Sequence, residues 1–210
     1  MSQAGPAGAS FGSASPNQAE GSIVTDVTNT VSTLPLTAGR WAIDTNHSRV
    51  GFAIRHLGVS KVRGRFADID AELVIGDSLD SCAVNATVGL ASIDTGNTDR
   101  DAHVRSADLL DVENRPEMVF KSLGIEDDGG DWVLNGELTI GEVTRSVRFD
   151  VEFGGVESFF DGTRHAGFEA VGEIRRKDFG LSFGPLSAML GDVVKVELDL
   201  QFIEPAAVPS

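Results

Sequence analysis

The chain has 210 residues, room for one domain with a tail or for two small ones, and enough to bury a sizeable core. Its 32 acidic and 17 basic residues give a net charge of −15, which argues against nucleic-acid backbone binding and against docking on anionic lipid by general attraction. The one cysteine, Cys82, excludes an internal disulfide and lies in a strand pattern that reads as a buried structural thiol.

No stretch has enough consecutive apolar residues to cross a bilayer as a helix. Residues 1–20 contain neither a basic residue nor an apolar run, so no secretory signal is read there and a cytoplasmic location is expected. Gly, Ala, Ser and Pro dominate this region. Residues 1–37 are therefore expected to form a disordered low-complexity tail, 38–204 the single domain and 205–210 a short C-terminal tail.

Strand patterns then follow one another. A short strand is expected at 40–44. In the next, Val50, Phe52, Ile54 and His56 share one face and Arg49, Gly51, Ala53 and Arg55 the other. Strands at 59–66 and 69–75 follow, and the Gly76-Asp77-Ser78 cluster reads as a turn. Val84, Ala86, Val88 and Leu90 alternate with Ala83, Asn85, Thr87 and Gly89.

Residues 92–122 interrupt this pattern. Thr98 reads as a helix N-cap with Asp101 three residues on, and Asp99 and Asp101 sit in the first turn, where the helix dipole favours negative charge. Asp99–His103 and Asp101–Arg105 are spaced to pair on one helix face. Ser106 can cap a second short turn that sets Leu109 and Leu110 against a core, and Pro116 then bars helix. Strands return at 118–125 and 132–140, joined by a turn at 127–131. Val147, Phe149, Val151 and Phe153 face one way in a strand that the Gly154-Gly155 pair is expected to end. Phe168, Ala170, Gly172 and Ile174 share a face, as do Val194, Val196, Leu198, Leu200 and Phe202. One apolar face per strand, repeated eight or more times, reads as an antiparallel barrel or sandwich.

Across the chain, the ordered motifs resemble those of the YceI-like polyisoprenoid-binding family. Early in the chain these are Trp41-Ala42-Ile43-Asp44, His47-Ser48, Arg55-His56-Leu57 and Gly64-Arg65-Phe66. Later come Asp94-Thr95-Gly96, Arg100-Asp101-Ala102-His103, Gly136-Glu137-Leu138-Thr139-Ile140 and Arg176-Lys177-Asp178-Phe179-Gly180-Leu181. Leu109-Leu110 stands where that family usually has paired aromatics, and Arg115 precedes Pro116 where an aromatic is common. The resemblance implies an all-β fold, a lipocalin-like antiparallel β-barrel of about eight strands with a short helical insertion. It further implies that the barrel holds a long isoprenoid or other amphiphilic chain.

With that fold, the inward residues are expected to line an apolar tunnel, represented by Phe52, Ile54, Val88, Phe149, Val151, Phe168, Val196 and Leu198. His56, Arg100, Asp101 and His103, with His47 expected nearby, are the candidates for contact with an oxygen-rich headgroup, or else form a buried network that pins the helix to the barrel mouth. The expected function is non-catalytic binding, storage or transfer of a polyprenyl quinone or polyprenyl phosphate, with no cofactor beyond the bound lipid and no nucleic-acid partner. A homodimer is left open. Two alternatives stand beside it: a metal-dependent enzyme using His47, His56, His103 and Asp101, whose spacing matches no local zinc motif, and an interaction protein with a filled core. No hydrolase elbow, dinucleotide fingerprint or P-loop is present. His165 reads as a solvated loop residue.

Overall fold

The computed structural model describes residues 35–128 and 131–206. The tail expectation for residues 1–34, and for 207–210, lies outside this range. Of the residues assigned to the tail, Leu36 is buried, and the Pro35 and Thr37 carbonyls accept hydrogen bonds from Arg164 and the Trp41 indole, each at 2.9 Å.

Eleven strand segments follow in order: β1 (Gly39–Ile43), β2 (Arg49–His56), β3 (Ser60–Phe66), β4 (Ile69–Ile75), β5 (Ala83–Gly89) and β6 (Ile93–Asp94), then β7 (Glu117–Asp128), β8 (Asp131–Ile140), β9 (Val143–Ser158), β10 (Arg164–Arg175) and β11 (Leu190–Ile203). One helix, α1 (Thr98–Arg105), separates β6 from β7. Every pairing is antiparallel.

Eleven segments make eight staves because three staves are broken. The far edge of β11 pairs with β1 at Phe202 and Ile203 and with β2 from Asp199 to Leu190. β1 and β2 are thus one stave interrupted by a turn. Asp44 makes that turn: its carboxylate accepts from the Asn46 backbone N–H at 3.0 Å and bonds His47 Nδ1 at 2.8 Å. β3 with β4, and β5 with β6, continue one another in the same way. The β1–β11 pairing closes the ring into an eight-strand barrel, so the sheet keeps no long free edge.

Gly154-Gly155 does not end β9, which runs on to Ser158. Phe153 pairs with Phe168 but Gly155 with Gly167, so Gly154 is an extra residue in a β-bulge. Gly155 takes φ +106°, which a side chain would resist.

The barrel is filled at one end. Trp41, Leu73, Ile75, Ala166 and Phe202 are buried there together with Leu36 and Cys82. Trp132, Phe153 and Phe168 stack above them with centroids 5.3–6.3 Å apart, and Phe168 meets Phe202 edge-on at 6.0 Å. Aromatic rings so arranged combine large buried area with favourable edge-to-face geometry.

Candidate functional site

Beyond the aromatic plug the barrel is hollow. A cavity of about 450 Å³ occupies its other half, within the range of known small-molecule sites. Its wall is aliphatic and aromatic: Phe52, Ile54, Val88, Phe149, Val196 and Leu198 all line it, joined by Met118, Phe120, Leu134 and Leu138. Leu109 and Leu110, carried in by the segment after α1, are buried and close the wall on that side. Strand alternation explains the lining, since each stave turns one set of side chains inward.

Three strand glycines shape the wall. A Cβ on Gly64 would stand 2.4 Å from the Phe52 ring, one on Gly136 the same distance from Phe120, and one on Gly172 2.6 Å from Phe149. Each phenyl ring reaches over a glycine into space that a side chain there would fill.

The polar lining residues are His56, Thr95, Arg100, His103 and Arg176; among the described residues, no acidic one lines the cavity. Arg100 and His103 are exposed on α1 and form part of the rim, with half-buried His56 at the end of β2. Arg100 donates through Nε to Thr95 Oγ1 at 2.7 Å and through Nη2 to the Thr95 carbonyl at 2.8 Å. A rim of donors beside an apolar lumen suits an amphiphile whose polar end accepts hydrogen bonds.

A YceI-like domain model matches residues 41–202. Escherichia coli protein YceI is 36% identical over 154 residues, which span 72% of this chain and 81% of that protein. The chain belongs to the YceI-like family. Among solved structures, Burkholderia cenocepacia BcnA shares the fold with a TM-score of 0.68 at 21% identity, covering 76% of this chain and 98% of its own. A polyisoprenoid binding domain from Saccharophagus degradans, implicated in plant cell wall breakdown, superposes with a TM-score of 0.59 at 14% identity over 79% of this chain and 98% of its own.

Several expectations change in this YceI-like barrel. Val151 and Phe168 do not line the cavity. Phe168 belongs to the plug, and Val151 pairs in register with Trp132 and Ala170 next to it. Both point inward as expected, but alternation fixes a residue's face and not its depth along the barrel.

Asp101 is not at the rim. It is buried, and its Oδ1 accepts from the Thr95 backbone N–H at 2.9 Å and from Thr95 Oγ1 at 2.5 Å. It therefore ties α1 to the loop after β6. The N-cap is Asn97 rather than Thr98, its side chain accepting from the Arg100 N–H at 2.9 Å. Neither expected i, i+4 ion pair forms among the described residues. Arg105 turns instead to the carbonyls of Ala91 and Ile93. Backbone acceptors exposed by the break between β5 and β6 outcompete the acidic neighbours on the helix.

His47 and His165 lie elsewhere. Both face Asp44 near the closed end: His47 Nδ1 at 2.8 Å and His165 Nδ1 at 3.8 Å from Oδ2. His165 is not a solvated loop residue. Its Nδ1 also meets Gln201 Nε2 at 2.7 Å and its ring packs on Phe159 at 5.6 Å. Burial opposes ionisation of Asp44, but the bonds from His47 and Asn46 outweigh it and hold the carboxyl below the usual carboxylate value. Among the described residues, no three His, Cys, Asp or Glu side chains converge to hold a metal ion.

Arg176 opens one of the family-like motifs but was not among the expected site residues. It is 1% exposed, yet it lines the cavity. Its guanidinium donates to the carbonyls of Leu181 at 2.7 Å, Gly191 at 2.9 Å, Ser187 at 3.0 Å and Leu190 at 3.2 Å, and lies 4.7 Å from the Phe183 ring centroid. No carboxylate pairs with it among the described residues. The signal in the sequence was a basic residue ending an apolar alternation at Ile174, followed by a glycine, Gly180, that takes φ +70° to turn the chain back.

Proposed function

We propose that this protein binds an isoprenoid lipid, such as a polyprenyl quinone or polyprenyl phosphate, and stores or transfers it without chemical change. The observation that carries the reading is the half-hollow barrel. A cavity of about 450 Å³ has an apolar wall and a few polar lining residues able to donate, Arg100, Arg176 and the histidines His56 and His103 among them. Each methylene buried there contributes about 0.8 kcal/mol, so a chain of several prenyl units needs little help from its headgroup. Membership of the YceI-like family and the likeness in fold to a polyisoprenoid binding domain support the same ligand class. In this proposal the lipid is cargo, the barrel uses no cofactor, and the chain works in the cytoplasm.

Native mass spectrometry of the purified protein, followed by organic extraction and lipid analysis, tests it. A bound mass that extracts as a prenyl lipid is the expected result, and the same spectrum reports monomer or homodimer. A protein that emerges empty and takes up neither prenyl quinone nor prenyl phosphate when challenged with them overturns the proposal.

A further inference from the structure

The hairpin of β2 and β3 is an island of opposite charge. Residues 46–67 contain no Asp or Glu but hold five of the seventeen basic residues of a chain whose net charge is −15. Alternation sends Phe52, Ile54, His56 and Val62 into the cavity wall. It sends Arg55, Lys61, Arg63 and Arg65 to the opposite, solvent face.

The packing leaves most of this charge uncompensated. Arg65 has Asp94 at 3.3 Å. Arg55, Lys61 and Arg63 make no ion pair among the described residues. Arg55 and Lys61 are directly opposed in the β2–β3 register, an arrangement of like charges that destabilises a strand pair.

The tip of the same hairpin is apolar and exposed. Leu57 is 57% and Val59 83% exposed. Leu57 sits at φ +52°, where a leucine is disfavoured and Asn or Gly would serve the turn better. Neither burial nor turn geometry explains a leucine here. The tip adjoins the cavity, because the Leu57 N–H bonds the carbonyl of Met189, a residue of the cavity wall, at 2.7 Å.

We infer that the β2–β3 hairpin docks on an anionic lipid surface, with Leu57 and Val59 dipping among the headgroups and Arg55, Lys61 and Arg63 meeting lipid phosphates. Cations flanking a short apolar tip suit such a surface, where apolar burial and charge attraction add. Net charge does not forbid it. Screening limits each charge to about 8 Å at physiological ionic strength, so the acidic remainder of the molecule is felt weakly at the tip. Docking in this orientation sets the cavity wall at His56 and Met189 against the membrane.

Flotation with phosphatidylglycerol vesicles, compared with phosphatidylcholine vesicles, tests this without reference to any cavity ligand, so its failure is distinct from failure of the lipid-carrier proposal. The parent chain is expected to float with the anionic vesicles at low salt and to be released as salt rises. Combining R55E, K61E and R63E should weaken partitioning on the order of 100-fold. A control combining R40E, R145E and R148E makes the same change in net charge on β1 and β9, outside the hairpin, and should retain most of the binding. Leu57→Asn suits the turn, preserves the fold and should also weaken flotation. Equal losses in the two triple variants, unchanged binding in the hairpin triple variant, or absence of anionic-vesicle binding by the parent would each overturn the inference.

Discussion

At the scale of single residues, the polar groups divide into those that hold the barrel and those free to meet a ligand. Asp44 holds it. Its carboxyl is kept below the ordinary value by hydrogen bonds from His47 and Asn46, so its contribution is present above the unfolded value of about 3.9 and is lost as pH falls through the lower folded value. Asp44→Asn should cost about 1 kcal/mol at pH 7, and the gap to the parent should narrow below about pH 4. Urea unfolding at pH 7 and pH 3 measures both. Arg100 answers to a different test. It is exposed at the rim, and it also braces Thr95. If an anionic headgroup sits there, Arg100→Ala should weaken a prenyl phosphate by about 1.5–3 kcal/mol and a quinone of equal length by roughly 1. Titration calorimetry with both ligands checks this, and equal losses would leave Arg100 a brace only.

At the scale of elements, the barrel wall depends on pairing phenyl rings with glycines across neighbouring strands. Gly64 of β3 lies opposite Phe52 of β2, and a methyl group at Gly64 would stand 2.4 Å from the tip of that ring. Phe52 lines the cavity, where a displaced ring has room to move. Gly64→Ala should therefore reduce the longest prenyl chain that binds, while costing less than the roughly 1–3 kcal/mol usual for overpacking a filled core. Binding assays over a chain-length series together with a thermal melt distinguish this from simple destabilisation. The insertion follows related logic. Asp101 and Arg105 spend their hydrogen bonds on the loop and carbonyls beside β6, which fixes α1 so that Arg100 and His103 reach the rim.

At the scale of the whole molecule, the barrel is two compartments with different responses to added volume. Ala166 is fully buried in the plug. Ala166→Val should destabilise by about 1–3 kcal/mol and leave ligand preference alone. Val196 lines the cavity. Val196→Phe should leave stability nearly unchanged and shorten the longest chain accepted. Paired denaturant melts and lipid-uptake assays check the contrast; a strong loss of stability with unaltered chain preference in the Val196 variant would mean that the cavity is a filled core in solution.

The sequence alone determined the faces of the staves, and its ordered motifs carried the resemblance to the family. Alternation with a period of two is local geometry, so it named Phe52, Ile54, Val88, Phe149, Val196 and Leu198 as inward without knowledge of their neighbours. The same alternation could not place Val151 and Phe168, because depth along a barrel depends on stagger between strands and on which aromatic rings meet across the lumen. Closure was also nonlocal: β11 must be long enough to serve both β1 and β2. The charged residues needed the fold most. Asp101 and Arg105 had plausible partners on the helix, yet Thr95 and two carbonyls near β6 took them, and His165, read as solvated, meets Gln201 from another strand. Arg176 drew little notice in the sequence because its acceptors are backbone carbonyls, which every residue carries and only the tertiary path of the chain gathers to one point.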